Sequence, residues 1–165
     1  MKKLCMLVIL VLMAGCSTAG STLTPLQRRA NECKRLEGSF DDAFKATLAV
    51  LQDRQYNIKT SDYQAGIIYA ESDLYPASDP SVLSKLAIAY TGPGDYQFRM
   101  KTTITFEKVT DKITNIRLTV YKVLSGMNNG KDVNKGTGLV EEPKVYQEWY
   151  AEIQKEIFRR VQLRQ

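Results

Sequence analysis

The sequence has no histidine, and that absence excludes much familiar site chemistry. Without imidazole, Ser-His-Asp and Cys-His catalytic arrangements, His-bearing zinc sites and a histidine pH switch are all ruled out. Cysteine is scarce too, with only Cys5, Cys16 and Cys33. Apolar runs are short: residues 4–14 are eleven consecutive apolar residues, whereas crossing a bilayer takes about 20. No strong excess of either charge is present. The 23 Lys and Arg against 18 Asp and Glu give +5 over 165 residues, with 44% hydrophobic and 25% charged residues. That balance is ordinary for a folded chain and indicates neither disorder nor a polybasic nucleic-acid binder.

What is present begins with an address. Lys2 and Lys3 precede the apolar stretch, and Leu12-Met13-Ala14-Gly15-Cys16 follows at its end. A positive start and a short apolar core read as an export signal over residues 1–15. The five-residue end resembles the lipobox of bacterial lipoproteins, although Met13 stands where that family usually has Leu. The resemblance implies diacylglycerol on the Cys16 sulfur, cleavage after Gly15 and acylation, such as by palmitate, of the new amino group. It also implies anchoring: one acyl chain holds a membrane reversibly, and three hold it durably. Ser17, where inner-membrane retention would have Asp, implies the outer membrane with the domain facing the periplasm. The competing reading is an ordinary secretory signal cut near Cys16-Ser17-Thr18-Ala19.

Processing would leave 21 basic against 18 acidic residues, and Cys33 as the one thiol besides the lipidated Cys16. Cys33 then has two readings, a reactive thiol or an inert one. Residues 16–37 read as a tether, with a Ser, Thr, Gly and Pro start and helix-forming residues at 26–36. Residues 38–165 read as a single domain.

Within it, Ser39 and Asp42 resemble a capping box, and Phe40, Ala43, Phe44, Thr47, Leu48 and Leu51 share one face of a helix over 40–54. Residues 56–60 and 67–71 predict a hairpin with Ile58 opposite Ile68 and Tyr56 opposite Ala70. Phe98, Met100, Thr102, Ile104 and Phe106 alternate with polar residues, as do Ile116, Leu118 and Val120. A turn around Thr110-Asp111-Lys112 would pair Phe106 with Ile116 and Ile104 with Leu118. Pro143 starts a last helix, with Val145, Trp149, Ile153, Ile157 and Val161 on one stripe. The expected fold is two-layer α+β, with helices on one face of a four-stranded antiparallel sheet in the order α-β-β-(short α)-β-β-α.

The run Tyr56-Asn57-Ile58, then Asp62-Tyr63-Gln64-Ala65-Gly66-Ile67-Ile68, following a helix, resembles small helix-grip envelope lipoprotein domains of the BamC type. The resemblance spans about residues 38–71 and implies a fold, not a function.

Three features compete for function. Asp79-Pro80 predicts a short helix to about Tyr90, with Val82, Leu83, Leu86 and Tyr90 on its apolar face. Residues 74–94 are then either a flap over a ligand or partner site or a crossover closing the core. Arg99, Lys101, Arg117 and Tyr121 should gather among threonines on the polar sheet face, as an anion-binding patch or a solvated surface. Residues 125–139 read as a mobile loop, lacking the order of a phosphate-binding or calcium loop.

No catalytic constellation emerges. Asp41-Asp42 and Glu141-Glu142 suit helix starts, and Ser81 and Ser84 near Lys85 lack supporting context. No cofactor, metal or nucleic acid is expected. The leading expectation is a non-enzymatic, membrane-anchored scaffold binding an envelope protein. An alternative is a module for an amphiphile or an anionic polymer such as lipopolysaccharide or peptidoglycan, and a small hydrolase is a distant third.

Overall fold

The computed structural model describes residues 23–76, 96–128 and 131–164. The export signal, Cys16, the short helix expected at 79–90 and its Val82, Leu83, Leu86 and Tyr90 lie outside the described residues.

The folded part starts earlier than the sequence suggests. Thr24 Oγ1 accepts the Gln27 N–H at 3.3 Å while Gln27 Oε1 accepts the Thr24 N–H at 2.9 Å, and Pro25 takes the first helical position. This reciprocal cap begins α1 (Pro25–Glu32). The chain runs directly into β1 (Cys33–Glu37), so residues 25–37, assigned to the tether, belong to the fold. Only Leu36 of β1 is buried, and Cys-Lys-Arg-Leu-Glu contains no β-branched residue. Its extended state comes from pairing with another strand, which overrides local propensity.

Ser39 caps α2 (Phe40–Asp53), its Oγ accepting the Asp42 N–H at 3.1 Å and donating to Asp42 Oδ2 at 2.6 Å. Next come the hairpin β2 (Asn57–Asp62) and β3 (Ile67–Glu71), the two-residue β4 (Tyr75–Pro76), and the long hairpin β5 (Tyr96–Thr110) and β6 (Ile113–Asn128). β7 (Lys131–Leu139) and α3 (Pro143–Gln162) complete the order.

All seven strands join one antiparallel sheet, against the four expected. β5 and β6 lie at its centre, with β3 and then β2 beyond β5, and β1 beyond β6. β4 extends the pairing along β5, and β7 along the opposite end of β6 from β1. Of the supposed loop at 125–139, residues 125–128 and 131–139 are therefore strand: the Asn and Gly content reads as turn, but β6 is long enough to pair with β7.

Ile104 pairs with Leu118 and Phe106 with Ile116, as the alternation requires. The first hairpin departs from expectation. Ile58 lies opposite Ala70, not Ile68: the turn pairs Asp62 with Ile67 and so is centred beyond Gln64 and not on Tyr63, a displacement of three residues that the shift between Ile58 and Thr60 reduces to two. Tyr56 precedes the strand, its N–H donating to the Leu51 carbonyl at 2.8 Å. Parity is preserved, so Ile58 still faces the core side with Ile68 and Ala70. Gly66 closes this turn at φ +65°, and its carbonyl accepts the Phe106 N–H at 2.8 Å. A Cβ there would stand 2.7 Å from the Phe106 carbonyl oxygen, so the close approach requires glycine.

α2 and α3 pack together over one face of the sheet. Val145, Trp149, Ile153 and Ile157 are buried as the stripe predicts, and Tyr146 and Tyr150 join them; Val161 is exposed. Beneath lie Met100, Ile104, Leu118 and Val120, all nearly inaccessible. Arg164 reaches Asp42 at one end, and Arg54 reaches Glu152 and Trp149 at the other, so the helices run antiparallel. The coarse expectation of a two-layer α+β domain therefore holds with a larger sheet. Among the described residues, no helix is long and apolar enough to cross a membrane.

Candidate functional site

The sheet face away from α2 and α3, which no described helix covers, carries the four polar candidates. Lys101 pairs with Tyr121, whose side chain is exposed, and Arg99 lies two residues along, opposite Val123. Arg117 is set apart from them by the Thr103 and Thr119 pair. The cations are also already engaged. Arg99 Nη1 and Lys101 Nζ reach the two oxygens of Glu71 at 3.1 and 3.2 Å, and Tyr69 donates its hydroxyl to the same carboxylate. Arg117 Nε and Nη2 both donate to Glu32 Oε2, at 3.1 and 2.9 Å.

The Tyr69 hydrogen bond, then Lys101 and Arg99, hold Glu71 below the usual carboxylate range against the opposing effect of burial. The same contact raises Tyr69, and the Glu71 partner raises Lys101. An external anion would compete with built-in carboxylates for these groups. The face is a set of internal ion pairs more than a free cationic patch.

A different concavity runs along β1. It encloses about 600 Å³ and is lined by all five β1 residues, by Ala30 and Asn31 of α1, and by an α3 stripe that includes Gln147, Ala151, Gln154 and Phe158. Spacings of four, three and four put that stripe on one side of the helix. Leu36, Tyr146 and Tyr150 are buried at the base, while Phe158 is half exposed. Tyr150 accepts the Leu118 N–H at 3.3 Å and donates to the Glu32 carbonyl. Tyr146 donates to the Val140 carbonyl at 2.6 Å. Burial raises both hydroxyls, Tyr146 to about 12, so at neutral pH they are fixed donors and not bases.

The backbone along this groove is unevenly satisfied. The Gly38 N–H donates to the Lys112 carbonyl at 2.8 Å, so by alternation Gly38, Leu36 and Lys34 direct their backbone groups toward β6. Cys33, Arg35 and Glu37 direct theirs outward. The Cys33 N–H donates to the Arg29 carbonyl, ending α1. Gln154 occupies Glu37 completely: its Oε1 accepts the Glu37 N–H at 3.0 Å and its Nε2 donates to the Glu37 carbonyl at 2.8 Å. The Arg35 N–H and carbonyl and the Cys33 carbonyl have no partner among the described residues.

A second cleft, about 530 Å³, opens between the end of α2, α3 and the sheet. Met100, Val120, Tyr56 and Trp149 make it apolar, and Asp53, Glu148 and Glu152 stand on its rim. Arg54 pairs with Glu152 at 2.7 Å and lies 4.4 Å over the Trp149 ring. That leaves an acidic rim, poorly matched to an anionic amphiphile. Burial raises Tyr56 here as well.

Three of the four adjacent carboxylates have structural partners, while Glu142 precedes α3 without a side-chain cap bond. Asp41 pairs with Lys45 at 2.9 Å, Asp42 meets Arg164, and Glu141 pairs with Arg28 at 2.8 Å. Ser81, Ser84 and Lys85 lie outside the described residues. Cys33 is exposed and unpaired, and no group of three potential metal ligands occurs among the described residues.

Of the sequence candidates, the structure brings together Arg99, Lys101 and Tyr121 and sets Arg117 apart. The groove residues were missed. Two signals pointed toward them: the Thr24-to-Gln27 capping box, and the Ala151, Gln154 and Phe158 stripe beside the buried one on α3. No protein-family model matches the chain, and a search of curated proteins returns no match either.

Proposed function

We propose that this chain is a lipid-anchored envelope protein, held at the outer membrane through Cys16 and facing the periplasm, whose folded domain binds a protein partner in envelope assembly or maintenance without catalysing a reaction. The lipobox-like residues 12–16 support the anchor. The observation that carries the binding role is the groove along β1, which combines an apolar base, a half-exposed Phe158 and unpaired backbone groups. Hydrogen-bonding groups beside apolar surface are what a protein partner uses, whereas the cations of the open face already have carboxylate partners.

The test is co-purification from cross-linked envelopes under mild detergent, comparing the native chain with Ala151→Arg, which fills the groove from an exposed helical position. A reproducible partner that is lost with Ala151→Arg is the expected outcome. Absence of any reproducible partner overturns the binding role. Mass spectrometry of the mature N-terminus checks the anchor independently, and an unmodified Cys16 would overturn it.

A further inference from the structure

The edge of β1 away from β6, left unpaired by any strand among the described residues, has the chemistry of an incomplete sheet. We infer that it takes an extended peptide of the partner as an added strand, acidic and apolar in alternation, lying in the channel between β1 and α3. This rests on the protein-binding reading above and specifies how the partner is recognised. Outward groups on a strand repeat every two residues, about 6.6 Å, and a neighbouring strand about 4.8 Å away supplies their complement. The Arg35 N–H, the Arg35 carbonyl and the Cys33 carbonyl are such a set, without partners among the described residues.

Gln154 shows how this edge is satisfied where something covers it. Its side-chain amide offers Glu37 one acceptor and one donor, the pair that a strand residue would present. The same amide stops the added strand at Arg35 and so sets its register.

Charge and shape select the peptide. Lys34 and Arg35 line the channel, Arg35 Nε donates to the neutral Asn115 Oδ1 at 3.5 Å, and no carboxylate lies within ion-pair distance of either cation among the described residues. Arg35, bonded to Asn115 on the open face, and Lys34, on the side of Leu36, point to opposite faces of the strand, so alternating acidic residues answer Arg35 while the apolar residues between them meet Phe158 and the open space over Ala151. A second copy of this chain is the poorer occupant. Gln154 takes Glu37 and α1 takes the Cys33 N–H, so two β1 edges would meet with only these few groups available on each.

The probe is an immobilised library of seven-residue peptides that alternate Asp or Glu with Val, Ile, Leu or Phe, screened against the full chain in mild detergent. For the strongest binder, amide exchange at Arg35 should slow at least about tenfold. A copy N-methylated along its edge-facing amides should bind at least about tenfold more weakly. Arg35→Pro should weaken binding comparably with little change in Tm, because an outward N–H on an edge strand tolerates proline. Should that variant not fold, Ala151→Arg tests the same channel from α3.

Failure of every library member to bind overturns the inference. So does equal binding of the N-methylated copy, or protection of the Arg35 amide by dimerisation alone. If the envelope partner is lost with Ala151→Arg but retained with Arg35→Pro, strand addition fails while protein binding stands. If no partner is found at all, the function itself fails.

Discussion

The two faces of the β5–β6 hairpin come from the same two strands yet follow different rules. On one face Ile104, Leu118, Val120 and Met100 disappear under α2 and α3. On the other, Thr103, Thr119, Lys101 and Arg117 meet solvent or ion-pair partners on β3 and α1. Burial is set by alternation within each strand, and the charge state of the polar face by which other elements come alongside. The first is local information; the second exists only after folding.

The largest expected effect is on the covered face. Leu118→Ala or Ile104→Ala should lower unfolding stability by about 2–5 kcal/mol through lost burial and a residual cavity. Thr103→Ala or Thr119→Ala, on the same strands, should change it by no more than about 0.5 kcal/mol. Urea unfolding of the four variants measures the contrast. A threonine loss as large as the leucine loss would mean that the open face is itself packed against something in solution.

A smaller effect should distinguish the two ends of the hairpin. Gly66→Ala is expected to cost about 1–3 kcal/mol, from a positive φ and a Cβ against the Phe106 carbonyl. Gly138 has nothing within 4 Å of an added Cβ, so Gly138→Ala should leave the thermal midpoint nearly unchanged. Equal losses would show that the tight Gly66 turn is not what ties the first hairpin to β5.

The same division explains what could be seen in the sequence. The β5–β6 register, both long helices and the Ser39 cap were legible, because each rests on a period or a capping pattern within one segment. β1 was not, since only Leu36 marks its inner side and its pairing with β6 spans some 80 residues of sequence. β7 was hidden by its Asn and Gly content, and the Ile58 register by a turn centred later than Tyr63 combined with a bulge that leaves no sequence mark. At the site, Arg99, Lys101 and Tyr121 were placed correctly on one face. Arg99 and Lys101 share Glu71, and Arg117 pairs with Glu32; both carboxylates come from elsewhere in the chain, so a cluster that reads as free cations is engaged in ion pairs. The groove needed β1, α1 and α3 together, and no single stretch announces it.

Glu71 gives the polar face a pH dependence that the covered face lacks. Its pKa is held below the ordinary value of 4.5, so the stability it contributes is present above about pH 4.5 and is lost as pH falls through the lower, folded value. Glu71→Gln keeps the size and a hydrogen-bond acceptor for Tyr69 but removes the charge facing Arg99 and Lys101. At neutral pH it should cost about 1 kcal/mol. Its stability should also fall less on acidification than that of the native chain, giving a flatter profile from pH 6 to about pH 3. An unchanged profile would mean that the Glu71 ion pairs add nothing beyond what solvent provides.

The smallest expected effect is on binding to anionic polymers. Lys101→Gln and Arg117→Gln remove cations that each already contact a carboxylate, Glu71 or Glu32. What an external phosphate or carboxylate gains from either group must therefore exceed what it displaces. Arg117 donates two hydrogen bonds to Glu32, whose side chain is nearly inaccessible, and breaking them would leave that carboxylate buried without a partner. Retention of the double variant on lipopolysaccharide or peptidoglycan should accordingly match the native chain within about twofold. A loss of about tenfold or more would mean that the ion pairs open toward an external anion, and the two faces would then differ in function as well as in burial.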